Sequence, residues 1–181
     1  MAKTLTIVAL TLGIAAVAVA GGAWGAIYYG AYNVAAIVPD PWPVAAVLHY
    51  ASDRAVAARL GDIKVPDGFD KPSSIEAGAV LFGKTCVTCH GGPGLTPTRI
   101  AQGLNPSPPD LFRSERDAEA SETFWFIKNG VKMTGMPGFG RSLSDAEIWS
   151  LTAFLSKAPG MSAAEFAKLT GAAASASATG N

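Results

Sequence analysis

Residues Cys86-Val87-Thr88-Cys89-His90 hold both cysteines of the chain and one of its two histidines. Two thiols three positions apart, with an imidazole directly after the second, place soft ligands within about one helical turn. Such a cluster has few uses: a redox disulfide, part of a zinc site, a structural bridge, or attachment of a porphyrin. A redox Cys-x-x-Cys normally accompanies a βαβ pattern, and no convincing strand pair is legible here. A structural zinc takes four ligands, and the sequence adds only His49 and no further cysteine. A disulfide across two residues would be strained and would leave His90 without a role.

Attachment of one haem c uses all three side chains. Cys86 and Cys89 each add to a vinyl group, and His90 then lies beneath the iron as its ligand. The other ring nitrogen of His90 is expected to donate to a backbone carbonyl and so fix the ring; the carbonyl of Pro93 is the expected acceptor. For the second axial position a later loop, "VKMTGMPGFGRS", offers Met133 and Met136 as candidates. A methionine between Gly and Pro in a loop is unusual, because the residue ordinarily fills cores. Met1 and Met161 read as the initiator and a helix flank. His49 has Asp53 four residues on, the usual surface pairing of a solvated helix.

The elements that must position these groups read as helices. "SSIEAGAVLFGKTC" leads into the cysteines, with Ser73 or Ser74 as N-cap and Glu76 in the first turn. "HGGPGLTPTRIAQGLNPSPPDLF" is too rich in Pro and Gly for regular helix or central strand, and too long for an idle connection. "DAEASETFWFIKNG" is a helix closed by Asn129-Gly130 as a left-handed cap. "SLSDAEIWSLTAFLSKAPG" carries a capping box of Ser144 and Glu147, with Ile148, Leu151, Thr152 and Leu155 on one face. "MSAAEFAKL" repeats the cap with Ser162 and Glu165. Ahead of these lie a short helix over about 43–60, ending at Gly61, and a linker of turn residues. Three or four short helices with two long loops make a small apolar core, and a bound cofactor would fill the missing interior.

The chain of 181 residues balances 14 basic against 14 acidic residues, which gives no argument for nucleic acid. Only 15% of residues are charged and mean hydropathy is +0.27, pointing to a membrane segment. Lys3 is the only charge before Asp40. The run between them exceeds the about 20 apolar residues that span a bilayer. Trp24, Tyr28, Tyr29 and Tyr32 gather at its far end as an interfacial belt, and Lys3 orients the N-terminus to the cytoplasm. "AVAVAGG" also offers a signal-peptidase site; either reading exports the remainder. The expected organisation is therefore 1–38 as transmembrane anchor or uncleaved signal, 39–72 as short helix and linker, 73–170 as haem domain, and 171–181 as disordered tail.

"CVTCHGGPG", "PPDLF", "FWFIKNGVKMTGMPGFG" and "SDAEIWSLTAFL" together resemble the small mono-haem class I cytochromes c. The likeness is nearest to membrane-anchored bacterial forms related to oxidase subunit III haem domains, and covers about residues 73–160. It implies an all-α fold with crossing N- and C-terminal helices, Gly78 and Phe82 meeting the face of Trp149 and Phe154. It implies His/Met ligation by His90 and Met136. Pro137 restricts the backbone after Met136 and Gly135 before it permits close approach. Trp125 and Arg113 are candidates to reach the haem propionates.

A haem with both axial positions filled has no open site for substrate but changes charge by one electron, and a thioether ligand raises its potential. The expectation is a one-electron carrier, not an enzyme, with no catalytic residues and no small-molecule substrate. It would be held on the cytoplasmic membrane by its N-terminal helix, facing the periplasm. It would carry electrons from a quinol-linked complex or dehydrogenase to a terminal oxidase or reductase. The alternatives are a fixed haem subunit of a larger membrane complex, a haem-stapled structural subunit, and a peroxidase or gas sensor with a displaceable sixth ligand.

Overall fold

A computed structural model describes residues 1–115, 117 and 119–171. Among them every regular element is helical, as the sequence predicts. The chain divides into two compact units, Met1–Val38 and Pro39–Asn181.

The first unit is one helix, α1, Ala2–Tyr28, with no residue buried. An 18-residue stretch within it has a mean hydropathy of 2.2, and the helix is long and apolar enough to cross a membrane. The helix ends among its aromatics, where the rings of Tyr28 and Tyr29 meet edge to face at 5.1 Å.

The second unit opens with α2, Trp42–Leu60, entered through Pro41 and Pro43 and buried only at Val56. Helix α3, Pro72–Thr85, begins two to three residues earlier than its serines suggest as caps. Lys71 is the cap and Pro72 takes the first helical position. A proline there has its φ already set and lacks an N–H that would go unpaired in any case. Helix α4, Val87–His90, is one turn that follows α3 directly and carries the motif.

The long loop after His90 is not wholly irregular. One turn of helix, α5, Arg99–Gln102, forms within it, capped by the Thr98 hydroxyl, which accepts from the Ala101 N–H. Helix α6, Ala120–Asn129, is capped by the Glu119 carboxylate, which accepts from the N–H groups of Ser121 and Glu122. Its closing glycine has φ +65° but ψ −171°. Gly130 is thus not in the left-handed helical region expected of it but in extended, positive-φ backbone open essentially to glycine alone. A 3₁₀ turn, Phe139–Arg141, precedes α7, Asp145–Ser156, whose capping box of Ser144 and Glu147 is complete. Helix α8, Ala163–Thr170, is capped by Ser162. Apart from Gly171, the expected disordered tail lies outside the described residues.

The core forms where α3 and α7 cross. Phe82, Ile148, Leu151 and Phe154 are fully buried, with Phe112, Phe124, Ile127 and Phe166 around them. Each such side chain contributes about 1.5–3 kcal/mol by leaving water. Phe82 meets Phe154 at 5.3 Å between ring centroids, as expected. Trp149 packs against the edge of the same core, where it stacks on Phe124 of α6 at 4.2 Å and meets Phe69 at 5.6 Å. Lys128 closes the α6–α7 side, with Nζ 2.7 Å from Asp145 Oδ1.

Candidate functional site

The end of α3 delivers the first thiol. The Cys86 N–H donates to the Phe82 carbonyl at 2.9 Å, and the His90 N–H donates to the Cys86 carbonyl at 3.0 Å. The motif is therefore helical throughout, and Cys86, Cys89 and His90 are fixed relative to the buried Phe82. Both cysteines are free and half-buried. Burial pushes the Cys86 thiol above its ordinary value, the Thr85 hydroxyl lowers it again, and Cys89 adds to the rise.

His90 is oriented from the far end of the first loop. Its Nδ1 lies 3.1 Å from the carbonyl oxygen of Pro109, nineteen residues away. The expected acceptor, Pro93, is therefore replaced by Pro109. A carbonyl only accepts, so Nδ1 carries the proton and donates. That leaves Nε2 as the nitrogen able to bind a metal, and the hydrogen bond at Nδ1 would make it a better donor. Pro108 and Pro109 stiffen the backbone bearing that carbonyl.

A cavity of about 600 Å³ borders the attachment turn, walled by Cys89, His90, Gly92, Ser107, Asp110 and Phe112 among others. Cys86 and Met136 are not on its wall.

Met136 is half-buried, whereas Met133 is 86% exposed with φ +60°. The loop carrying Met136 is folded back against the end of α6. The Val131 N–H donates to the Met136 carbonyl at 3.2 Å, and the Met136 N–H donates to the Thr134 hydroxyl at 3.1 Å. Two glycines allow that approach. A Cβ on Gly130 would stand 2.5 Å from the Gly138 nitrogen, and one on Gly138 would stand 2.6 Å from the Asn129 carbonyl oxygen. A Cβ on Gly135 would press the Leu104 side chain at 2.5 Å, so the loop also closes on the end of α5's segment. Trp125 is half-buried on α6, and Arg113 and His49 are exposed.

The donor set fits a c-type haem: two free thiols at one helix end, an imidazole whose Nδ1 is held by a backbone carbonyl, and a thioether in a loop held by close backbone contacts. Residues 73–155 match the family described as cytochrome C oxidase, cbb3-type, subunit III. These residues form a class I cytochrome c domain. The domain spans α3 to near the end of α7, and a cytochrome c domain serves electron transfer.

Over 100 residues the chain is 32% identical to a quinohemoprotein alcohol dehydrogenase of Comamonas testosteroni, covering 55% of this chain and 13% of that protein. A chain of the reducing HAO-like protein complex of Kuenenia stuttgartiensis superposes with a TM-score of 0.43 at 21% identity, over 54% of this chain and 46% of that one.

Proposed function

We propose that the chain is a one-electron carrier with a single covalently bound haem c. Cys86 and Cys89 form the thioethers, and His90 and Met136 are the axial ligands. Bound haem c supplies a one-electron iron couple that needs little rearrangement of its ligands. The observation that carries the reading is the Nδ1 of His90 held 3.1 Å from the Pro109 carbonyl, an arrangement that leaves Nε2 available to a metal. Around it, this chain's residues hold the ring, exclude water and keep the thioether loop in place.

Helix α1 supports a tether in the cytoplasmic membrane with the cytochrome domain on the periplasmic side. A tether raises the effective concentration of the domain toward other membrane-bound partners. The donor is a quinol-linked complex or a dehydrogenase, and the acceptor a terminal oxidase or reductase. The likeness to part of a quinohemoprotein alcohol dehydrogenase favours a dehydrogenase as donor. It equally suits a second form of the reading, a fixed haem subunit of a larger complex.

The test is an optical titration of the purified protein. One reversible one-electron step is expected, with a low-spin spectrum in both states. The oxidised form should show the weak far-red band of sulfur-to-iron charge transfer, and Met136→Leu should abolish it while Met133→Leu leaves it. A high-spin wild type whose spectrum shifts with carbon monoxide or peroxide would replace electron transfer with the peroxidase or gas-sensor reading.

A further inference from the structure

Helix α8 lies beyond the matched cytochrome domain, which ends at residue 155. Its one buried side chain, Phe166, is 1% exposed. The ring is not simply a patch on the core. A Cβ on Gly92 would run into it, so the backbone two residues after His90 rests directly on the ring. On another side it meets Phe112 at 5.2 Å, interplanar angle 85°, three residues after Pro109. Phe82, whose carbonyl holds the Cys86 N–H, lies at 6.1 Å. The Phe112 segment is tied to the same region through its carbonyl, which accepts from the Gly160 N–H at 2.9 Å. One ring thus touches the chain just after His90 and the chain just after its carbonyl partner.

We propose that Phe166 is a positioning residue for the proximal ligand: it sets the distance between the His90 ring and the Pro109 carbonyl, and through it the donor strength of Nε2. This rests on His90 being the ligand. The two segments are the opposite ends of one loop, and the single turn of α5 between them does not by itself set their separation. A close-packed aromatic ring does not compress, so it acts as a spacer. Removing it lets the segments collapse or slide, and the Nδ1–H to carbonyl bond loosens. A weaker bond makes Nε2 a poorer donor and disfavours the ferric state.

The experiment uses the full-length holoprotein as wild type, Phe166→Ala, Phe166→Leu and, as control, Ile148→Val in the same core. Three quantities are read: thermal stability, the reduced-to-oxidised ratio at a fixed poise, and solvent exchange of the His90 Nδ1–H by NMR of the reduced protein. Phe166→Ala should raise the ratio several-fold and speed the exchange about tenfold. Phe166→Leu should fall between it and wild type. Ile148→Val should lower stability while leaving ratio and exchange unchanged. If Phe166→Ala lowers stability alone, the residue is plain core and the proposal is overturned. If that variant does not fold, Phe166→Leu decides in the same way: wild-type ratio and exchange overturn the proposal. Failure of the ligand assignment looks different, since the wild type itself would then lack a protected His90 Nδ1–H and a low-spin spectrum.

Discussion

Gly78 on α3 and Ser150 on α7 meet backbone to backbone: a Cβ added at position 78 would overlap the Ser150 carbonyl and stand 3.0 Å from the Leu151 nitrogen. The two helices therefore cross where α3 presents a glycine and no side chain intervenes. Everything in the core, Phe82 against Phe154 included, depends on that approach. Gly78→Ala forces the helices apart rather than displacing a flexible side chain. Overpacking of this kind costs about 1–3 kcal/mol, occasionally more, and here the upper end is expected. With a shift of about 4–8 °C per kcal/mol for a domain of this size, melting should fall by about 10 °C or more. Thermal unfolding followed by far-UV circular dichroism measures it.

Gly130→Ala should separate local from global damage. Its φ of +65° with ψ −171° is strained for alanine, and its Cβ would meet Gly138 and Pro137 at 2.5 Å. Those contacts lie in the Met136 loop, away from the α3–α7 crossing. The expected result is loss of the far-red sulfur-to-iron band with a smaller fall in melting temperature than Gly78→Ala produces. Equal loss of both signals would mean that the loop and the core unfold as one unit.

The two thiols make a further prediction. After denaturation and acid extraction, the wild-type polypeptide should retain its haem on a gel stained for haem. Cys86→Ala and Cys89→Ala should each retain it more weakly through one thioether. The double variant should lose it entirely. Retention by the double variant would show that attachment does not run through these cysteines.

The helix ends and the motif were legible because their signals are local. Ser144 and Glu147 lie three residues apart, and the cap between them closes without help from the rest of the chain. Thr98 and Gly103 bracket a turn of helix just as plainly, but five prolines in the surrounding loop masked it. The departures come where two distant segments meet. Nothing near His90 points to Pro109 rather than Pro93, since the acceptor depends on the path of the whole intervening loop. The contacts of Trp149 with Phe124 and Phe69 are of this kind too, because helix periodicity gives a face but not the neighbour that covers it. Gly130 was legible as a positive-φ residue; its ψ is set by the return of the Met136 loop onto α6.

The capping box of α7 predicts a defined acid response. The Ser144 hydroxyl and backbone N–H both donate to the Glu147 carboxylate, at 2.7 Å and 2.8 Å, and hold it below its ordinary value of 4.5. A carboxylate lowered in the folded state binds fewer protons folded than unfolded across the interval between the two values. Its contribution is therefore fully present above about the unfolded value and is lost as pH falls through the folded one. Glu147→Gln keeps an oxygen that accepts the same hydrogen bonds but carries no charge. The variant should melt below wild type by a constant margin from neutral pH down to about the unfolded carboxylate range, and the margin should then shrink as wild-type Glu147 is protonated. Burial pushes Glu119 up, but the Ser121 hydroxyl and the N–H groups of Glu122 and Ser121 together hold it below its ordinary value; it titrates in both proteins and cancels from the comparison. Ser144→Ala removes the other half of the box and should cost about 1 kcal/mol, also above that range. Melting curves for the three proteins between neutral and acid pH test the assignment. A wild-type to Glu147→Gln margin that persists undiminished in acid would show that the charge of Glu147 is not what stabilises the start of α7.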